Sequence, residues 1–420
     1  MTHISRRHFM QFAGSTLATV GLSQLPIFRQ AERYGKVLAQ STPRKLALLV
    51  GINSYPELGK YSRALKGCLT DLELNRNLLI YKFGFKPQDI YTLSDKKATR
   101  QGILEAFEEH LINQAKPGDV VVFHYSGHGS RVFDPDVLKY GREQGTTGFT
   151  GSFVPVDSRL PTGYPNTGGV VQDILGHTLF LLMSAVQTEY FTAVLDSCYS
   201  GGATRTFNYI VRSRDGGANL KVADSEKAFQ EKWLSRLNLS EAEYVRRYRE
   251  GVAKGVVLAA TDTYQTAADA RFNDFHAGAF TYYLTQYLWQ ATSTVSDAIA
   301  NVNANIPKRF KQTPKADVKV GSGYLSQPIY FIDAQQAPAQ AVITEVNGGQ
   351  VKLWLGGLGQ KNLARVYNGT VFSIVDTSGR SFGTVTLQSH DGLIGEGTLA
   401  GTAESGTLLQ LASDSSPPRN

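Results

Sequence analysis

Two short stretches carry side chains that could do covalent chemistry. Residues 124–130 read HYSGHGS and close an apolar run that begins at Asp119, and residues 194–202 read VLDSCYSGG. A cysteine attacks a carbonyl only as its thiolate, so it needs a base or an electropositive neighbour, and the resulting oxyanion needs backbone N–H donors close by. The second stretch puts Cys198 at a strand end, followed by small residues that let another backbone approach. The first puts His128 at a strand end between Gly127 and Gly129, so each stretch supplies what the other lacks. His124 lies within the apolar run and reads as a packed strand residue. Cys68 and Cys198 are the only cysteines. Two are too few for a disulfide framework or a Cys-rich zinc site, and Cys68 reads as core.

The elements that must hold these residues alternate regularly. Leu46–Ile52 is a continuous apolar run, as in a strand covered on both faces. Residues 64–82 read as helix, Ile90–Leu93 as extended, and 99–114 as helix with Thr99 as its cap. Val120–Tyr125 is a third strand, Asp173–Ser184 a helix and Tyr190–Asp196 a fourth strand. After a long polar insert from Tyr199 to Lys254, Val256–Ala260 reads as a fifth strand, Ala279–Gln290 as a helix and Ile329–Ile332 as a sixth strand. This rhythm predicts an α/β layer structure with a mostly parallel sheet. In such sheets function gathers beyond the carboxyl ends of strands, where both His128 and Cys198 fall.

The ends of the chain read differently. Residues 333–341, DAQQAPAQA, have linker composition, and over 342–415 Gly-Thr recurs before apolar stretches, predicting a small β-barrel or sandwich. At the other end, Arg6-Arg7 precedes a mildly apolar stretch from Phe12 to Phe28 that is too polar for a stable membrane span. Residues 1–39 resemble a twin-arginine signal peptide, which predicts export of the folded protein to a bacterial periplasm. That segment holds five basic residues against one acidic, so it carries four of the net +7 charges. The weak surplus elsewhere speaks against a nucleic-acid partner.

His128 in YSGHG, Cys198 in DSCYSGG and their separation of 70 residues resemble the caspase-like cysteine peptidases, and among them the metacaspases, whose bacterial members are called orthocaspases. VGINSYPEL, LKGCLTD, FVPVD and GAFTYYL support the likeness. It implies a caspase-like three-layer sandwich over residues 40–332, to which the C-terminal all-β domain is added. It also implies that Cys198 is the nucleophile, that His128 moves the proton, and that the N–H groups of Gly129 and Cys198 form the oxyanion hole. Asp196 shares a strand face with Cys198 and brings a carboxylate near it. The resemblance adds Asp71 as a second acidic wall, and Ser126 shares the face of His128. Such a pocket selects Arg or Lys before the scissile bond, in protein or peptide substrates. The basic, glycine-containing segment around Arg212 and Arg214 reads as an exposed loop open to self-cleavage. Asp157 fits the acidic cluster of calcium-activated relatives, but the later acidic pair is represented by Gln172-Asp173. No cofactor is therefore expected to be required, and Ca2+ is expected to be dispensable, with no metal-ligand residues assigned. Metacaspases also imply a monomer. The alternative from another functional class is a catalytically silent caspase-like scaffold.

Overall fold

The structure is a computed structural model and describes residues 43–61, 63–134, 148–198, 209–214, 216–262, 265–334, 336–376 and 380–412. The expected signal segment lies outside them. From Arg44 onward the chain forms one compact unit.

In chain order the elements up to the central strands are β1 (Lys45–Gly51), α1 (Cys68–Tyr81), β2 (Ile90–Ser94), α2 (Arg100–Ala106), β3 (Val120–Ser126), β4 (Gly129–Phe133) and β5 (Phe149–Phe153). They continue with β6 (Gly169–Val171), β7 (Ile174–Leu175), α3 (Gly176–Ala185), β8 (Phe191–Asp196), β9 (Ile210–Val211), β10 (Gly217–Val222), α4 (Asp224–Arg236) and α5 (Glu241–Arg249). The part before the terminal barrel ends with β11 (Val256–Ala259), β12 (Ala268–Phe272), β13 (Phe275–Gly278), α6 (Ala279–Gln290), α7 (Val295–Asn305) and β14 (Lys315–Val318).

A six-stranded sheet ordered β14-β11-β8-β3-β1-β2 forms the middle layer, parallel throughout except for β14. Its strands alternate between two cores, as period-2 side chains must when both faces are covered. Ala47, Leu49, Val122 and Val194 face one core with Leu72, Leu78 and Leu79 of α1 and Phe280, Leu284 and Leu288 of α6. Leu46, Leu48, Val121, Phe123 and Ala193 face the other with Ile103 of α2, Leu181 of α3, Trp233 of α4 and Tyr244 of α5. Thr99 caps α2 as expected, its hydroxyl accepting from the Gly102 N–H.

A second sheet, β6-β10-β4-β5-β7, stands beside the first, and β13-β12-β9 forms a third. The chain finishes as a closed antiparallel barrel of β15 (Ala341–Asn347), β16 (Gln350–Trp354), β17 (Val371–Val375), β18 (Ser381–Asp391), β19 (Ile394–Ala400) and β20 (Leu408–Leu411), in the order 15-16-19-18-17-20. Its interior belongs to the same apolar cluster as α1 and α6. The segment joining it to the rest is tied down: Lys82 Nζ donates to the carbonyls of Gln336 and Ala337 at 2.9 and 3.0 Å, and Ala339 is buried.

Two expectations are corrected. Ile329–Ile332 is not a strand: Tyr330 and Phe331 have φ of 55° and 56°, left-handed values closed to extended backbone. Tyr330 is buried with its ring edge-on to Phe83. The sixth strand is the less apolar β14. The insert is not simply an exposed loop either, because it contains β9, β10, α4 and α5, and both Arg212 and Arg214 are 0% exposed.

Candidate active site

Ser126 pairs with Asp196 across β3 and β8, so the two chains leave the sheet side by side. His128 and Cys198 each follow two residues later. At that point the backbones are so close that a Cβ on Gly129 would fall 1.9 Å from the Cys198 carbonyl oxygen, and only glycine fits. The His128 N–H donates to the Tyr55 hydroxyl at 2.7 Å, and its Nε2 lies 2.8 Å from the Arg63 carbonyl. The Tyr55 and His128 rings are 4.6 Å apart. The Cys198 Sγ is held by Ala267, accepting from its N–H at 2.7 Å and lying 3.6 Å from its carbonyl oxygen.

The chain's own segment 210–214 runs through this place. Residues Ile210–Val211 add an antiparallel strand to β12, with Ala268 opposite Val211 and Asp269 opposite Ile210. Next, the Arg212 carbonyl oxygen accepts from the N–H groups of Gly129 at 3.0 Å and Cys198 at 3.1 Å. These are the two donors expected to stabilise an oxyanion. The chain then bridges Ser213 to Gly129, and Arg214 N–H donates to the Gly129 carbonyl at 2.9 Å.

The Arg212 guanidinium enters a closed pocket. It is 2.7 Å from Asp71 Oδ2, 3.3 Å from Asp196 Oδ1 and 3.3 Å from Asp269 Oδ2. It also donates to Ser126 Oγ at 2.6 Å, while that hydroxyl donates to Asp71 at 2.5 Å. Three carboxylates around one guanidinium leave surplus negative charge, and backbone donors at helix starts take it up. Asp269 accepts from the N–H of Gly67 just before α1 at 2.9 Å. Asp71 accepts from Gly278 at 2.9 Å, and Asp196 accepts from the N–H and hydroxyl of Thr281 at 3.0 and 2.6 Å, both at the start of α6. Gly278 closes the wall: a Cβ there would sit 2.1 Å from Asp196 Oδ2 and 2.6 Å from Arg212 Nη1.

Burial sets the protonation of this state. It pushes the Cys198 thiol up to about 12 despite the hydrogen bond from Ala267. It also pushes the His128 imidazole down to about 4, with the Arg212 and Arg214 charges adding to the effect. Both groups are therefore neutral around pH 7 in this state, with the thiol held by Ala267 and the imidazole by the Arg63 carbonyl. Burial likewise raises the Asp71 carboxyl, opposed by Arg212. Cys68 is a fully buried thiol pushed well above its ordinary range, consistent with a core role.

The structure thus gathers Asp71, Ser126, His128, Gly129, Asp196, Cys198 and Arg212 in one place, and sets Arg214 in a separate pocket. Sequence reasoning did not find Asp269, Gly278 or Tyr55. An acid set between alanines in the stretch AADARF was the available signal for Asp269, whereas Tyr55 sits in VGINSYPEL with nothing to mark its hydroxyl.

Residues 44–320 match the caspase-domain family. The chain belongs to that family. It is 26% identical over 308 residues to Metacaspase-1 of Kluyveromyces lactis, covering 66% of each chain. It is 27% identical over 301 residues to Metacaspase-1 of Schizosaccharomyces pombe, covering 65% of this chain and 66% of that one. The chain spans about two thirds of the length of these relatives. A crystal structure of a Geobacter sulfurreducens protein aligns with a TM-score of 0.47 at 18% identity, over 69% of this chain and 99% of that one.

Proposed function

We propose that this caspase-family chain is a cysteine endopeptidase that cuts after Arg or Lys, with Cys198 as nucleophile and His128 as proton carrier. One observation carries the reading. The carbonyl of Arg212 lies on the N–H groups of Gly129 and Cys198 while its guanidinium fills a pocket of Asp71, Asp196 and Asp269. A peptide whose carbonyl and preceding side chain are held this way is presented as a substrate. The same placement supports self-cleavage at Arg212-Ser213, and distinguishes it from Arg214, whose carbonyl has no such donors among the described hydrogen bonds. Departure of Cys198 Sγ from Ala267 would precede attack.

In the reaction the imidazole of His128 takes the thiol proton, the thiolate adds to the carbonyl carbon, and the oxyanion takes the two N–H donors. Collapse expels the amine, which is protonated by the imidazolium, and water then hydrolyses the thioester. The pocket's acids reject Asp before the scissile bond by charge repulsion.

Calcium is proposed to be dispensable. Asp173 is fully engaged by Arg214 and two serine hydroxyls, and Asp157 accepts from the Arg100 N–H at the start of α2. Export by the twin-arginine route and a monomeric state complete the proposal on sequence grounds.

The test is a set of fluorogenic peptides ending in Arg, Lys or Asp, assayed with wild-type and Cys198→Ala protein, with and without a chelator. Turnover of the Arg and Lys peptides by wild type alone, unaffected by chelation, is the expected result. Silence on all three would favour the scaffold reading, and strong loss on chelation would overturn the calcium statement. A Cys198→Ala protein still nicked after Arg212 would refute self-cleavage.

A further inference from the structure

Arg214, two residues beyond Arg212, occupies a second built site. Its guanidinium meets Asp173 as a two-pronged pair, Nη1 to Oδ1 at 2.8 Å and Nη2 to Oδ2 at 2.7 Å. The same two nitrogens donate to Ser158 Oγ at 3.0 Å and Ser130 Oγ at 3.1 Å. Arg214 and its three partners are all buried, Ser130, Ser158 and Arg214 completely. Two parallel N–H···O bonds to one carboxylate are the geometry that distinguishes guanidinium from ammonium.

The receptor is organised independently of its occupant. Ser152 of β5 and Ser158 donate to Asp173 Oδ2 and Oδ1 at 2.7 and 2.9 Å, so the carboxylate is aimed by contacts that do not involve Arg214. Asp173 precedes β7, Ser130 belongs to β4, and Ser152 to β5, so the site is made from the sheet that begins at Gly129. The Gly129 residue that donates to the Arg212 carbonyl also accepts from Arg214 N–H, which fixes the spacing between the two guanidinium sites.

We infer that Asp173, with Ser130 and Ser158, forms a specificity subsite for an arginine at the second position after the scissile bond, so that preferred protein substrates carry Arg-Xaa-Arg and are cut after the first Arg. This rests on the proposed peptidase activity and adds to it a requirement on the leaving side of the bond. A buried carboxylate left facing an apolar or acidic side chain loses the one cationic partner it has among the described residues, so discrimination should be large. Lysine, a point charge without the fork, should be intermediate.

Internally quenched peptides of one sequence, with Arg before the bond and Arg, Lys, Ala or Glu at the second position after it, test this on the full-length protein. Arg is expected to exceed Ala at least tenfold in kcat/KM, mainly through KM, with Lys between and Glu lowest. In Asp173→Asn the Arg-to-Ala ratio should collapse toward one. Should that variant fail to fold, Ser158→Ala should lower the ratio in part, and the wild-type series is decisive without any variant. Equal kcat/KM for Arg, Ala and Glu, with cleavage after the first Arg intact, overturns the subsite alone. No cleavage of any peptide overturns the proposed activity and this inference with it.

Discussion

At the scale of single residues, the pocket for Arg212 depends on one side chain that is missing. Gly278 leaves the space where the guanidinium passes Asp196, and a methyl group there would overlap both. Overpacking of this kind costs about 1–3 kcal/mol, or about 5–150-fold in binding. Gly278→Ala is therefore expected to lower kcat/KM for Arg peptides by that factor; an unchanged value would show that the pocket is wider than described. The pair His128 and Cys198 was legible because each motif is incomplete without the other. Asp269 was not, because its part in the site arises from β12 pairing with β9, a contact between residues about 60 positions apart that no local pattern announces.

At the scale of elements, segment 210–214 is a strand and two charged anchors that fasten the insert beside the candidate active site, while its helices α4 and α5 pack into the second core. Removing Arg212 would leave Asp71, Asp196 and Asp269 buried without their cation, and breaking a buried pair from one side costs about 3–5 kcal/mol. In a Cys198→Ala background, which prevents cutting, Arg212→Ala is expected to lower the midpoint of chemical unfolding by a corresponding amount. A short arginine-ended peptide should restore much of it and do little for the Cys198→Ala parent. If both variants unfold together, with or without peptide, the arginine is not holding the acids. The alternation of strands and helices could be read from sequence because apolar runs there are local. The turn at Tyr330 could not, since an apolar run bounded by Pro328 looks identical whether its backbone is extended or left-handed.

At the scale of the whole molecule, the barrel and the peptidase-like part are joined by a common interior. Tyr282 donates to the Leu358 carbonyl at 3.1 Å, and Gln290 Nε2 to those of Ala339 and Gly357 at 2.6 and 2.9 Å. A chain stopped after Ile332 would bare the apolar face of α6, so it is expected to express as aggregate by light scattering; a monodisperse, cooperatively melting fragment would contradict this.

Acid is the second global sensitivity. Burial takes His124 down to about 3 and His128 to about 4, so on acidification the unfolded chain binds these protons first. Stability should be full above the ordinary histidine value near 6.5 and fall as pH drops toward 4, by up to about 1.4 kcal/mol per pH unit for each histidine. The raised Asp71 carboxyl acts in the opposite sense, since the folded form then takes up a proton more readily, but it is one group against two. Thermal melts of Cys198→Ala from pH 7 to 4.5 should show the decline, with a shallower slope in His124→Phe. A flat profile in the parent would exclude linkage through these histidines.

The two residues Ile210–Val211 also occupy the outer edge of the small β13-β12-β9 sheet. If the proposed self-cleavage releases them, β12 is left with a row of unpaired main-chain donors and acceptors, which any extended chain can complete. Under that proposal activation and stickiness would be the same event: the freed edge could not tell a substrate from a second molecule's stray strand, and processed protein should keep best with a peptide in the groove.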